Sequence, residues 1–166
     1  MTIANGYIEG EGRFFFIMSI LDLFERVIID YHTGLTCTGA NALFILVRAW
    51  AKQNPAANLI VRTDNGPQFI SSSFELACEN LSIEHERIPP KSPNSNAHIE
   101  AFHSILEEDC LSLNDFDAFA KAYQTIAEFI SYYNEVRLHS SIDYKPPQEY
   151  HDEIMSNTIN VLAISA

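Results

Sequence analysis

The stretch Leu59-Ile60-Val61-Arg62-Thr63-Asp64-Asn65-Gly66-Pro67 opens with three apolar, β-prone residues and closes with the Asn-Gly-Pro chemistry of a tight turn. A short apolar run bounded in this way reads as a buried strand, and the turn leaves Asp64 at its C-terminal end. Working outward toward the N-terminus, Thr38 or Gly39 opens a helix in which Ala42, Leu43, Ile45, Leu46 and Trp50 recur at helical spacing, and Asn54-Pro55 stops it. Before that helix, residues 13–21 and 26–31 are nearly continuous β-rich apolar stretches separated by Asp22-Leu23-Phe24-Glu25. They read as a hairpin covered on both faces. Tyr7 and Ile8 end an earlier strand that starts almost at residue 1, ahead of the turn Glu9-Gly10-Glu11-Gly12.

Toward the C-terminus, Ser72 or Ser73 caps a helix through Phe74, Leu76, Ala77 and Leu81, after which residues 83–88 alternate as a strand. Residues 89–96 are turn formers that read as a loop, with Ser95 or Asn96 as N-cap of the next helix. That helix carries Glu100 in its first turn. At about 100° per residue, Ile99, Phe102 and Leu106 share one stripe and Glu100, Ser104 and Glu107 another, with His103 at the edge between them. Asn114 or Asp115 caps a last long helix with Phe116, Phe119, Tyr123, Ile126, Ile130 and Tyr133 as its apolar stripe. Three strands, helix, strand, helix, strand, then helices describe an α/β protein with helices packed against a mixed sheet. We expect one domain over residues 1–150 and a C-terminal tail over 151–166.

Composition narrows the function. The 166 residues suit a single core, and the longest apolar run, residues 14–21, falls far short of the roughly 18–20 residues that span a bilayer. No basic n-region or cleavage site marks a signal peptide, and three dispersed cysteines form neither a disulfide framework nor a zinc pattern. A cytoplasmic protein without a membrane partner is the expectation. The charge opposes a simple DNA-binding surface: 22 acidic against 10 basic side chains leave −12, where phosphate contacts call for a basic excess.

Two carboxylates carry the candidate chemistry. Asp64 at a strand end and Glu100 in the first turn of a helix can meet at one edge of such a sheet, and Mg²⁺ is commonly held by one or two carboxylates, with water and phosphate completing the sphere. The surrounding residues sharpen this. Thr63-Asp64-Asn65-Gly66-Pro67-Gln68-Phe69 and Ser92-Pro93-Asn94-Ser95-Asn96-Ala97-His98-Ile99-Glu100-Ala101-Phe102 closely resemble two motifs of the integrase-core family, which includes retroviral integrases and bacterial insertion-sequence transposases. The 35 residues between Asp64 and Glu100 (100 − 64 − 1) match the separation of that family's second and third acidic residues. Leu21-Asp22-Leu23-Phe24 with Arg26, and Tyr133-Asn134 with Arg137, His139, Ser140 and Pro147, extend the resemblance over about residues 6–150.

The resemblance implies a ribonuclease-H-like fold, a mixed β-sheet with helices on both faces, and a polynucleotidyl transferase that cuts and joins DNA with Mg²⁺ or Mn²⁺. Two ions would activate the attacking hydroxyl and stabilise the leaving oxygen in an in-line displacement at phosphorus. It makes Asp64 and Glu100 the catalytic, metal-binding residues and Asn65, Lys91, Asn94 and Asn96 DNA-contacting residues. The partners it implies are transposon ends, target DNA and further copies of the chain, as a homodimer or a higher homo-oligomer. One departure stands out: the family's first acidic residue falls at Thr2, and a hydroxyl cannot replace a metal-bridging carboxylate. Impaired catalysis is therefore expected. Glu9 and Glu11 are the alternative carboxylates for that role, and His98 and His103 flank Glu100 as neighbours rather than Mg²⁺ ligands. Glu107, Glu108 and Asp109 stand on the same helix where relatives often carry basic residues. A non-catalytic, self-associating module and a nuclease that only hydrolyses are the competing functions.

Overall fold

In the computed structural model of the chain, residues 1–53, 59–88 and 97–156 are described. Strands β1 (Thr2–Ile8), β2 (Arg13–Leu21) and β3 (Ile28–Gly34) form an antiparallel sheet in that order, with Thr2 opposite Ser19 and Ile20 opposite Asp30. Strands β4 (Leu59–Thr63) and β5 (Ile83–Arg87) pair in parallel, Leu59 opposite Ile83. The Met1 amine donates to the Arg62 carbonyl at 2.6 Å, joining the first sheet to the second.

Side-chain alternation along β2 explains the layering. Phe15 and Ile17 point into a core with Ile99, Phe102 and Leu106 of α3 (Ala97–Asp109) and Ala122, Ile126, Phe129 and Ile130 of α4 (Phe119–Glu135). Met18 and Ile20 point the other way, against Ile45 and Leu46 of α1 (Gly39–Gln53) and Phe74 and Cys78 of α2 (Ser72–Asn80). Two helices thus cover each face, as expected, and each fully buried Phe or Leu contributes about 2–3 kcal/mol relative to an exposed one. Cys37, Cys78 and Cys110 are free thiols, and burial pushes Cys78 and Cys110 up to about 11. Among the described residues, no helix is long and apolar enough to cross a membrane.

Several boundaries differ from the expectation for physical reasons. Strand β3 starts at Ile28 rather than residue 26, because Asp22 Oδ1 accepts the amides of Phe24 and Glu25 and Arg26 adopts a φ of 65°. Ser71, not Ser72 or Ser73, caps α2, accepting the Phe74 amide. Helix α4 starts at Phe119 instead of following Asn114 or Asp115. Asn114 turns back to donate to the Cys110 carbonyl at 2.8 Å, and Phe116 is buried ahead of the helix, its carbonyl accepting the Glu9 amide at 2.8 Å. The cap comes from elsewhere in the chain: Glu11 Oε1 accepts the Phe119 amide at 2.7 Å. A final helix, α5 (Pro147–Met155), takes proline at its first position and runs across residue 150, and His151 on it pairs with Glu25 at 2.5 Å. The expected end of α1 at Asn54-Pro55 lies outside the described residues.

Candidate active site

Asp64 follows the last residue of β4 and is exposed. Three contacts hold it. Its Oδ1 accepts the Gly66 amide at 2.7 Å, its carbonyl accepts the Thr63 hydroxyl at 2.9 Å, and the Thr63 carbonyl before it accepts the Ile88 amide at 2.9 Å. A Cβ at position 66 would lie 2.1 Å from Gln68 Nε2 and 2.8 Å from Asp64 Oδ1, so a side chain there would displace both of these side-chain ends. Beyond it Phe69, fully buried against Phe74 with ring centroids 5.7 Å apart, anchors the loop in the core. One carboxylate oxygen is thereby held, while Oδ2 makes no hydrogen bond among the described residues.

Glu100 stands in the first turn of α3. The helix buries Ile99, Phe102 and Leu106, and that rotation leaves Glu100 and Glu107 exposed and His103 half-buried, as the periodicity predicts. A carboxylate in the first turn is favoured by the helix dipole. His103 connects the parts: its Nε2 lies 2.8 Å from Thr2 Oγ1. Burial, the largest influence, pulls the imidazole below its ordinary value, while the charges of Asp64 and Glu100 act in the opposite direction. The charges of both carboxylates thus act on the histidine ring that touches the start of β1.

Thr2 is buried at 6% exposure, its hydroxyl against His103 Nε2. Glu9 and Glu11 lie past the far end of β1, about 20 Å along the strand, and Glu11 is committed to Arg13 and the Phe119 amide. Hydrogen bonding to that amide, ahead of the Arg13 contact, lowers the Glu11 carboxyl from its usual range. Among the described residues, no cluster of three or more His, Cys, Asp or Glu side chains is arranged to hold a metal ion. Two exposed carboxylates still suit one hard cation whose remaining ligands are water and phosphate; the donor set does not suit a pair of ions bridged by a third carboxylate.

Asn65, expected at the DNA, is exposed but spends its Nδ2 on the Ile88 carbonyl at 2.9 Å, which ties the Asp64 turn to the end of β5. Lys91, Asn94 and Asn96 lie outside the described residues. His98 is exposed, and its pKa is lowered by partial burial and by the neighbouring Arg26 charge. Asp109, in the acidic run, pairs with Arg137 at 3.3 Å. The sequence reading missed the Thr2–His103 contact and a Thr63–His85–Glu75 chain; the one signal for the latter is a histidine within the alternating strand.

Two models of the integrase core domain match this chain, over residues 3–93 and 81–147. The 39.2 kDa protein of insertion element IS476 from Xanthomonas euvesicatoria is 34% identical over 134 residues, 80% of this chain and 38% of that protein. The transposase of insertion sequence element IS904 from Lactococcus lactis is 29% identical over 141 residues, 84% of this chain and 55% of that one. The chain spans about half or less of these curated relatives. Among solved structures, a chain of the simian T-cell lymphotropic virus intasome bound to a PP2A regulatory subunit aligns with a TM-score of 0.72 at 19% identity, covering 90% of this chain and 52% of that one. The HTLV-2 integrase catalytic core in complex with magnesium aligns with a TM-score of 0.65 at 16% identity, over 90% and 92% of the respective chains. At these identities the likeness is one of fold, and the fold is ribonuclease-H-like.

Proposed function

Because the chain belongs to the integrase core domain family, we propose that it is the core of a bacterial insertion-element transposase whose metal site is reduced to Asp64 and Glu100. The observation that supports this reading is that the charges of Asp64 and Glu100 both act on the His103 ring, whose Nε2 meets Thr2. A bound Mg²⁺ or Mn²⁺ would supply Lewis-acid polarisation of a scissile phosphate. Asp64 and Glu100 would hold the cation through hard oxygens. Gly66 presets the Asp64 carboxylate by its amide, and His103 keeps Thr2 occupied. DNA strand cleavage and joining is the activity we assign to the parent protein, with transposon ends and target DNA as substrates and further copies of the chain as partners. Asn65 from its turn, and Lys91, Asn94 and Asn96 from the segment before α3, are the side chains we assign to the DNA backbone. For this chain we propose impaired catalysis, because a hydroxyl engaged by a histidine brings no charge to a second cation.

A second reading is favoured by the same Thr2 contact: a self-associating module that neither binds metal nor joins DNA. Calorimetric titration with Mn²⁺, standing in for Mg²⁺ at an oxygen site, separates the two. On the transposase reading, binding to this chain is weak, is lost in Asp64→Asn and in Glu100→Gln, and tightens in Thr2→Asp. Identical isotherms for all four proteins would remove Asp64 and Glu100 as ligands and leave the non-catalytic module.

A further inference from the structure

Behind Asp64 runs a chain of three polar side chains, two buried and the third half-exposed, that the proposed chemistry does not consume. Thr63 is fully buried, and its hydroxyl donates to the Asp64 carbonyl while lying 2.8 Å from His85 Nε2. The His85 side chain, on β5, is 5% exposed, and its Nδ1 lies 3.0 Å from Glu75 Oε2 on α2. The other Glu75 oxygen is 3.8 Å from Arg87, and the Phe74 ring packs edge-on against the imidazole at 5.1 Å.

Hydroxyl, imidazole and carboxylate in this order are the parts of a hydrolytic triad, but access excludes that use. Thr63 has 0% exposure, so no substrate reaches the oxygen, and its only proton is already given to a backbone carbonyl. His85 meets the Thr63 hydroxyl through Nε2 and the Glu75 carboxylate through Nδ1, so the ring is anchored at both nitrogens. The three residues come from three elements, β4, β5 and α2, and their hydrogen bonds end on the carbonyl of Asp64.

We propose that Glu75, His85 and Thr63 form a positioning relay that fixes the peptide plane at Asp64 and, through it, the direction of the cation-binding carboxylate. Cation affinity at Asp64 then depends on side chains that never touch the cation, as partners behind metal ligands commonly do. The inference rests on the reading of Asp64 as a ligand.

Mn²⁺ titration of Thr63→Val, Thr63→Ser, His85→Phe and Asp64→Asn, read alongside amide hydrogen exchange at Gly66, tests it. Valine is nearly isosteric with threonine and keeps the β-branched strand residue, so the Thr63 pair remains informative even where His85→Phe unfolds. The expected result is an affinity loss of about tenfold in Thr63→Val and His85→Phe, recovery in Thr63→Ser, and faster exchange of the Gly66 amide in the two weakened variants. Unchanged affinity in Thr63→Val, with binding lost in Asp64→Asn, overturns the relay and leaves the site reading intact. Equal losses in Thr63→Ser and Thr63→Val trace to packing of the methyl group and also overturn it. Should Asp64→Asn leave Mn²⁺ binding unchanged, the site reading falls, and with it the relay's role toward a cation, whatever the exchange data show.

Discussion

At the scale of single residues, burial without a partner has consequences that can be measured. His139 is 9% exposed, its Nε2 has no hydrogen-bond partner among the described residues, and its ring stacks edge-on against Tyr133 at 4.8 Å. Burial, followed by the Arg137 and Arg26 charges, lowers the imidazole to about 4. The folded state therefore disfavours the charged ring, and between an ordinary value of about 6.5 and 4 the unfolded chain takes up a proton that the folded chain refuses. Stability from this group is complete above pH 6.5 and is lost as pH falls toward 4, by about 3 kcal/mol at most. Urea unfolding of the chain and of His139→Phe across pH 4–7 should show this slope in the parent and its loss in the variant. Parallel curves would mean that His139 does not titrate on unfolding.

At the scale of elements, contacts between segments distant in the chain set where helices and strands begin. Asn134, near the end of α4, accepts the Ile28 amide at 2.9 Å and donates to the Ile28 carbonyl at 3.0 Å, so one side-chain amide acts as a strand partner for the start of β3. Asn134→Ala removes both bonds and is expected to cost about 2 kcal/mol, at roughly 1 kcal/mol per hydrogen bond. Chemical denaturation reads that loss, and an unchanged midpoint would show that water replaces the amide. Glu11 acts similarly toward α4, which explains why no capping side chain is found in the helix's own leader. The Asn134 contact was visible in the sequence only as part of a resemblance, since hydrogen bonds spanning 106 residues leave no periodic trace.

For the whole molecule, charge is the governing quantity. A net −12 repels a phosphate backbone, and the basic side chains on the active-site side are partly spent internally, Arg137 on Asp109 and Arg62 on Glu86. We therefore expect the chain alone to bind duplex DNA no tighter than the non-specific range, with Kd of about 10⁻⁴ M or weaker at physiological salt. Fluorescence anisotropy with and without Mg²⁺ tests this. Affinity in the nanomolar range would show that a local cationic surface outweighs the total charge. The chain spans only about half or less of the curated relatives it matches.

Local pattern was enough to read the order of elements, the strand end at Asp64, the exposed face carrying Glu100 and the neutral residue at position 2. Each of these depends on periodicity, turn chemistry or a short motif, all of which act over a few residues. The packed fold alone decided that the charges of Asp64 and Glu100 both act on His103, that Thr2 closes onto that ring, and that a Glu–His–Thr chain runs behind Asp64. Such pairings depend on strand register and on the way helices settle against the sheet, and these are set by the summed burial of two cores rather than by any one segment.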